Sequence, residues 1–202
     1  MIEYKIPKSA VVFEEEIKKS RFITYLQHVE GITEAKAFWQ QVKLQHPQAR
    51  HHCWATVAGA PNDSQQLGFS DDGEPAGTAG KPMLSALQGS YIGEICAVIV
   101  RYYGGVLLGT GGLVRAYSNG VQQALDLLET DVKVERASYR LCCDYTQINS
   151  IQLLCKKHDV VILDQQFADI VRFELGIRDD KLSTFEQALI ERFSGQLQLE
   201  RE

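Results

Sequence analysis

Hydrophobic and polar positions in the first part of the chain predict a hairpin followed by a helix. Two runs rich in apolar residues, 11–17 and 22–29, flank a short polar turn at 18–20. This pattern is typical of a β-hairpin. Apolar residues then recur at helical spacing over 32–42, and Thr33 is the candidate cap of that helix.

A continuous apolar run, Ile95–Val100, predicts a central strand that is covered on both faces. An additional strand is predicted upstream at His51–Ala58. The segment after the central strand has apolar residues at helical spacing, which predicts a long helix. Its buried positions are expected to be Leu113, Tyr117, Val121, Leu125 and Leu128. The first half is therefore expected to be an α+β unit.

The pattern changes near 130–136, where the long helix ends and a polar, charged connection follows. We place a domain boundary there, which divides the chain into domains 1–132 and 133–202. The second domain is predicted to run strand, helix, strand, strand, helix, strand, with Thr146 as the candidate cap of its first helix. The strand before that helix is expected at Tyr139, Leu141, Cys143 and Tyr145. This order is the ferredoxin-like βαββαβ arrangement, a fold that serves many functions.

The amino-acid composition excludes several classes of protein. Of the 202 residues 45% are hydrophobic and 23% are charged, which excludes a disordered chain, a collagen-like repeat and a coiled coil. The longest apolar run is far shorter than the ~20 residues that span a bilayer. The N-terminal segment also lacks the apolar region of a signal peptide. We therefore expect a cytoplasmic protein with no membrane partner.

The net charge and the cysteines argue against general polyanion binding, disulfides and structural zinc. A net charge of -5 argues against a general polyanion binder, so any nucleic-acid contact must be a local patch. Five cysteines, of which Cys142 and Cys143 are adjacent, indicate reduced and mostly buried thiols. The segment His51–Cys53 is too small a ligand set for structural zinc. We expect no disulfide, no metal and no cofactor.

A cluster of three carboxylates, Asp71, Asp72 and Glu74, lies in a turn-forming segment. These groups could hold magnesium or act as acid and base, with His51 and His52 as neighbours in an additional site. The alternative is that they form turns and cap a helix, and the sequence favours this interpretation. The glycines that follow do not match a P-loop, because Pro82 stands where Ser or Thr is required.

A glycine-rich segment lies between the central strand and the long helix. Free amides at a helix start attract phosphate, and local cations strengthen this attraction. The alternative is that the glycines only permit tight turns. The candidate residues for binding an anion or RNA are Lys81, Arg101, Tyr102, Tyr103, Gly104, Gly105, Gly109, Gly111, Gly112 and Arg115. One of the two tyrosines is expected to be available for stacking on a base.

The segment Gly93–Gly109, with the sequence GEICAVIVRYYGGVLLG, resembles the signature of the IMPACT family. His51–Cys53 and Asp71–Pro75 are similar to its other recurrent blocks. The resemblance implies a first domain like the second domain of a small-subunit ribosomal protein and domain IV of elongation factor G. It also implies a second domain like the ferredoxin-like domains of elongation factors. RNA, the ribosome or a translation factor is then the expected partner.

Two functions remain open. In the first, a non-enzymatic protein binds RNA or the ribosome and takes part in translation regulation or a stress response. In the second, an enzyme holds a small-molecule phosphate in the same glycine-rich loop and uses the nearby carboxylates. The first is favoured because the sequence contains no GxSxG motif and no complete catalytic constellation.

Overall fold

The structure, a computed structural model, describes residues 3–201. Within this range the chain divides into two compact units, one of residues 4–133 and one of residues 134–201 together with Glu3. Each unit mixes helices and strands and has its own hydrophobic core. The molecule is thus an α+β protein of two domains.

The N-terminal unit is built on a five-stranded antiparallel sheet. The strands of the first part of the chain are β1 (Glu3–Pro7), β2 (Val11–Ile17), β3 (Ser20–His28), β4 (His51–Val57), β5 (Leu67–Ser70), β6 (Ile95–Tyr102) and β7 (Thr130–Val134). The large sheet has the order β2-β3-β6-β4-β5, while β1 and β7 form a separate pair. The predicted hairpin is confirmed, because β2 and β3 pair through a turn in which Lys18 and Lys19 both have positive φ.

Three helices cover the large sheet. They are α1 (Gly31–Gln45), α2 (Gly80–Gly89) and α3 (Thr110–Asp126). Side chains of a strand point alternately to opposite faces, so β6 supplies both halves of the core. Cys96, Val98 and Val100 pack towards α1, whereas Ile95, Ala97 and Ile99 pack towards α2 and α3. All six are fully buried, which confirms the predicted central strand.

Two local predictions were wrong, and three elements were missed. Thr33 lies inside α1, whose cap position is Glu30, and the Glu34 carboxylate accepts a hydrogen bond from the Glu30 amide. The predicted connection over 130–136 contains strand β7, which acquires its extended form by pairing with β1. Strand β1, strand β5 and helix α2 were not predicted at all.

The C-terminal unit has the predicted order of elements. These are β8 (Ala137–Cys143), α4 (Ile148–Lys157), β9 (Val161–Phe167), β10 (Val171–Ile177), α5 (Asp179–Phe193) and β11 (Leu199–Arg201). The strands form an antiparallel sheet in the order β11-β8-β10-β9. Thr146 is not the cap and Tyr145 is not in the strand, because Asp144 begins a 3-10 turn, Tyr145–Gln147, through a capping box.

Among residues 3–201, none of the helices combines the length and the apolar character needed to cross a membrane. The five cysteines are free thiols, and four of them are buried.

Candidate functional site

The end of strand β6 divides the predicted site residues between two faces of the sheet. Arg101 follows Ile99 on the face of α2 and α3, and Tyr102 follows Val100 on the face of α1. On the neighbouring strand β4, His51 is the cross-strand partner of Arg101. The strand period therefore brings His51 and Arg101 to one face, and it removes Tyr102 from that face.

Arg101 lies in a buried ion pair rather than in open solvent. Its Nη1 donates to Glu74 Oε1 at 2.7 Å, and Tyr117 Oη donates to the same oxygen at 2.8 Å. The side chains of Arg101 and Glu74 are only 6% and 3% exposed. Nη2 lies 3.3 Å from Ser20 Oγ, while the buried Nε has no hydrogen-bond partner among the described residues.

Asp71 caps helix α2. Its two carboxylate oxygens accept hydrogen bonds from the amides of Gly77, Ala79 and Gly80 at 2.8 to 3.0 Å. A carboxylate thus occupies the anion position that the start of α2 creates. Asp71 therefore serves as a helix cap, as one of the two interpretations of the carboxylate cluster predicts.

Asp72 and His52 also serve the structure. Asp72 Oδ2 accepts a hydrogen bond from the His52 amide at 2.8 Å, and Lys43 Nζ lies 3.6 Å from Oδ1. The His52 ring is buried, and its Nε2 donates to the carbonyl of His46 at 2.9 Å. Of the five residues of the predicted additional site, only His51 and Glu74 line the cavity that is described in the next paragraph.

A cavity of about 400 Å³ opens beside the Arg101–Glu74 pair. It lies between the end of β6, the segment before β4 and the start of α3. Its lining residues are Arg50, His51, Glu74, Pro75, Arg101, Tyr103, Leu107, Leu108, Gly109, Thr110 and Leu113. Its volume is within the usual range of small-ligand sites. We call this feature the β6–α3 cavity.

The start of α3 forms one wall of the β6–α3 cavity. Gly109 has φ +74°, a conformation that favours glycine, and it provides no side-chain cap. The first amides of a helix have no partner within it, so the N–H group of Thr110, which lines the cavity, remains available, and those of Gly111 and Gly112 follow it outside the lining. The first turn also contains no acidic side chain. This helix start is therefore suited to an external anion, unlike that of α2.

The two adjacent tyrosines have different environments. Tyr102 Oη is hydrogen-bonded to His46 Nδ1 at 2.8 Å on the α1 face. Tyr103 is 44% exposed and lines the cavity, and the Arg101 guanidinium lies 5.5 Å from its ring centroid. Tyr103 is thus the tyrosine that is available for stacking.

The other predicted anion-binding residues do not line the β6–α3 cavity. Lys81 is exposed on α2, and Arg115 Nε donates to the Gly111 carbonyl at 3.2 Å on the surface of α3. Gly104 is required for space, because a Cβ there would lie 1.8 Å from the Lys19 carbonyl oxygen. The remaining glycines outside the lining are Gly105, Gly111 and Gly112.

Arg50 and Thr110 line the cavity but were missed by the sequence analysis. Arg50 is exposed and directly precedes strand β4. Because β4 pairs antiparallel with β6, the residue before His51 must lie near the end of β6 that carries Arg101. That register was the signal that could have identified Arg50.

The buried groups behind the ion pair are not nucleophiles. Burial raises the pKa of the Cys53 thiol far above its ordinary value, and the thiol donates to the Asp71 carbonyl at 3.0 Å. Burial likewise raises the pKa of Tyr117 well above its usual range. Both groups therefore stay protonated at neutral pH, which disfavours covalent catalysis.

Comparisons with known proteins agree with the division of the chain into an N-terminal unit (4–133) and a C-terminal unit (134–201 with Glu3). A family model described as the Impact N-terminal domain matches residues 18–125, and a domain of unknown function, DUF1949, matches residues 141–196. An IMPACT family member of Haemophilus influenzae is 66% identical over 98% of this chain and 96% of its own length. The IMPACT family member YigZ of Escherichia coli is 53% identical over 98% of both chains.

A solved structure, titled as the crystal structure of a hypothetical protein, matches the whole fold. It has a TM-score of 0.77 and 53% identity, covering 98% of this chain and 97% of its own. The chain therefore belongs to the IMPACT family and has the two-domain organisation of its bacterial members.

Proposed function

We propose that this protein binds single-stranded RNA in the β6–α3 cavity and that it acts as a binding protein in translation rather than as an enzyme. The observation that carries the proposal is the convergence of three features on one cavity. They are the uncapped start of α3, the cation Arg50 and the exposed ring of Tyr103.

The phosphate of the RNA would lie at the start of α3. Backbone amides with no side-chain cap, at the positive end of a 17-residue helix, favour a negative group. Arg50 adds a solvent-exposed positive charge on the same cavity. This local charge overcomes the net charge of -5, because ionic contacts act over about a Debye length of ~8 Å at physiological salt.

A base would stack on Tyr103. Stacking on an aromatic ring contributes roughly 1–3 kcal/mol per base and needs no sequence preference. The guanidinium of Arg101 lies over the same ring and holds it beside the cavity. An exposed aromatic next to free helix amides suits a nucleotide better than it suits inorganic phosphate.

The carboxylates give little support to the alternative of a metal-dependent phosphate enzyme. Asp71 accepts hydrogen bonds from three backbone amides. Asp72 accepts a hydrogen bond from one amide and forms an ion pair with a lysine. Glu74 is paired with Arg101 and Tyr117. A cation would have to displace these contacts before it found three oxygen ligands.

The family resemblance supports the partner class. It implies likeness of the N-terminal domain to a ribosomal-protein domain and to domain IV of elongation factor G, and of the C-terminal domain to ferredoxin-like domains of elongation factors. We therefore place the RNA on a ribosome or a translation complex, with translation regulation as the cellular role.

The proposal is tested by fluorescence anisotropy with a labelled single-stranded RNA of about twelve nucleotides and the full-length protein. Tyr103→Leu is expected to weaken binding about tenfold, which is the loss of one stacked base. Tyr91→Leu is the matched control, because Tyr91 is a still more exposed tyrosine that does not line the cavity.

The contribution of ionic contacts to RNA binding is measured from the dependence of Kd on salt concentration. Arg50→Ala is expected to lower the slope of log Kd against log salt by about one phosphate contact, whereas Lys36→Ala, an exposed cation on α1, leaves it unchanged. Equal binding by Tyr103→Leu and Tyr91→Leu, or no RNA binding by the wild-type protein, overturns the proposal.

A further inference from the structure

The wall of the β6–α3 cavity contains a hydrogen-bond acceptor that the protein leaves available. Glu74 lines the cavity, and both of its side-chain hydrogen bonds, from Arg101 Nη1 and Tyr117 Oη, end on Oε1. Among the described residues no hydrogen bond ends on Oε2. Oε2 is not one of the fully buried side-chain atoms without a partner, so it remains accessible from the cavity that Glu74 lines. A ligand in the cavity can therefore replace water as the donor to this oxygen.

The lining beside Glu74 favours a donor that belongs to a partly apolar ligand. Tyr103, Leu107, Leu108 and Leu113 supply most of the apolar lining, and Pro75 adds to it. The phosphate position at α3 and the acceptor at Glu74 are parts of the same cavity. A nucleobase that stacks on Tyr103 therefore presents its edge to Glu74 while its phosphate contacts the helix start.

Among the four bases, guanine has the edge that matches a carboxylate. Its N1–H and its N2 amino group are adjacent donors, and an ionised carboxylate only accepts. Uracil and cytosine each place an acceptor beside their donor, and adenine places the N1 acceptor beside its amino group. A carboxylate oxygen in this wall would attract guanine and would meet a lone pair on each of the other bases.

We infer that the β6–α3 cavity selects guanine, with Glu74 reading the N1–H and N2 amino edge of a base stacked on Tyr103. The inference rests on the proposed function. It adds a base preference that stacking and phosphate binding alone do not give.

The test changes the RNA rather than the protein, because a substitution at Glu74 would also break the buried pair with Arg101. Anisotropy is measured for uridine heptamers that carry one central guanosine, inosine, adenosine or 7-deazaguanosine. Guanosine is expected to bind about tenfold more tightly than adenosine, because its two adjacent donors share Oε2 whereas adenosine presents a lone pair to that oxygen. Inosine lacks the N2 amino group and should lose most of that preference. The analogue 7-deazaguanosine keeps the edge and should match guanosine.

The outcomes separate the inference from the proposed function. Equal affinity for all four heptamers overturns guanine selection and leaves RNA binding standing. Failure of every heptamer to bind overturns both. A further titration uses guanosine 5′-monophosphate as competitor. If the free nucleotide competes as well as the guanosine heptamer, guanine selection is supported and RNA is overturned in favour of a small nucleotide.

Discussion

The sequence predicts that Arg101 binds an anion, but in the structure its side chain is paired with the buried carboxylate of Glu74. The sequence shows a cation at the end of a strand, next to glycines, and this context predicts a phosphate ligand. Glu74 is 27 positions away, and nothing local to Arg101 indicates that the two side chains meet in a buried pair. The sequence shows that position 101 carries a positive charge, but its pairing with Glu74 depends on the tertiary structure.

The Arg101–Glu74 pair gives a stability prediction. Arg101→Met leaves the Glu74 carboxylate buried and uncompensated, and should lower the free energy of unfolding by about 3–5 kcal/mol. Adding Glu74→Gln to Arg101→Met removes the stranded charge and should recover part of the loss, which a double-mutant cycle in urea will show. Arg115→Met, an exposed arginine on α3, is the control and should change stability by less than about 0.5 kcal/mol. A loss for Arg101→Met no larger than that of the control would contradict the buried-pair account.

At the scale of elements, the predictions succeeded where hydrophobic pattern alone determines the structure. Strand β6 is apolar at six consecutive positions, and α3 has a clear apolar face. Strands β1 and β7 are short and mix polar with apolar residues, and each is extended because it pairs with the other. Helix α2 is preceded by glycines and a proline, and Asp71, nine residues before Gly80, supplies its cap. Such non-local partners cannot be identified from residue periodicity.

The Glu94 carboxylate is the main side-chain contact between the β1–β7 pair and the rest of the N-terminal unit, beside a backbone hydrogen bond from the Gly93 amide to the Lys5 carbonyl. Glu94 Oε1 accepts hydrogen bonds from Tyr4 Oη at 2.8 Å and Lys133 Nζ at 2.6 Å, and His28 Nε2 lies 2.8 Å from Oε2. His28, Glu30 and Glu94 are close enough to hold a metal ion, but the Lys133 ammonium already contacts both carboxylates. These contacts make the pair sensitive to acid.

Acid should weaken this attachment. Burial raises the pKa of Glu94, but hydrogen bonds from Lys133, His28 and Tyr4 outweigh that effect and hold it below the ordinary value of 4.5. The unfolded chain therefore takes up a proton at higher pH than the folded chain. The stabilisation from Glu94 is complete above about pH 4.5 and is lost as pH falls through the lowered pKa. Urea midpoints from pH 7 to pH 3 should show wild type and Glu94→Gln converging in acid. A constant or growing difference would show that the Glu94 charge is not the cause.

The chain as a whole divides into two units. A fragment that tests this division must contain the complete strand β7. A fragment of residues 1–134 keeps β7 and Lys133, and we expect it to unfold cooperatively because its core is its own. A fragment of residues 1–129 loses the partner of β1 and the cation beside Glu94. Its melting temperature should be lower by about 5 °C or more. A non-cooperative transition of 1–134 would contradict the division into two units, and equal melting temperatures of the two fragments would contradict the stabilising role of β7.

A substitution of Thr110 tests whether the start of α3 binds an RNA phosphate. Thr110→Asp places a negative charge in a first turn that has none, which stabilises the helix by roughly 0.3–1 kcal/mol and repels phosphate. Thr110→Asn is the neutral variant of the same shape. Binding of the twelve-nucleotide RNA is measured for both by anisotropy, with a thermal melt of each. We expect Thr110→Asp to bind the RNA about tenfold more weakly than Thr110→Asn while it melts at the same or a higher temperature. Equal affinity of the two variants would contradict phosphate binding at the start of α3.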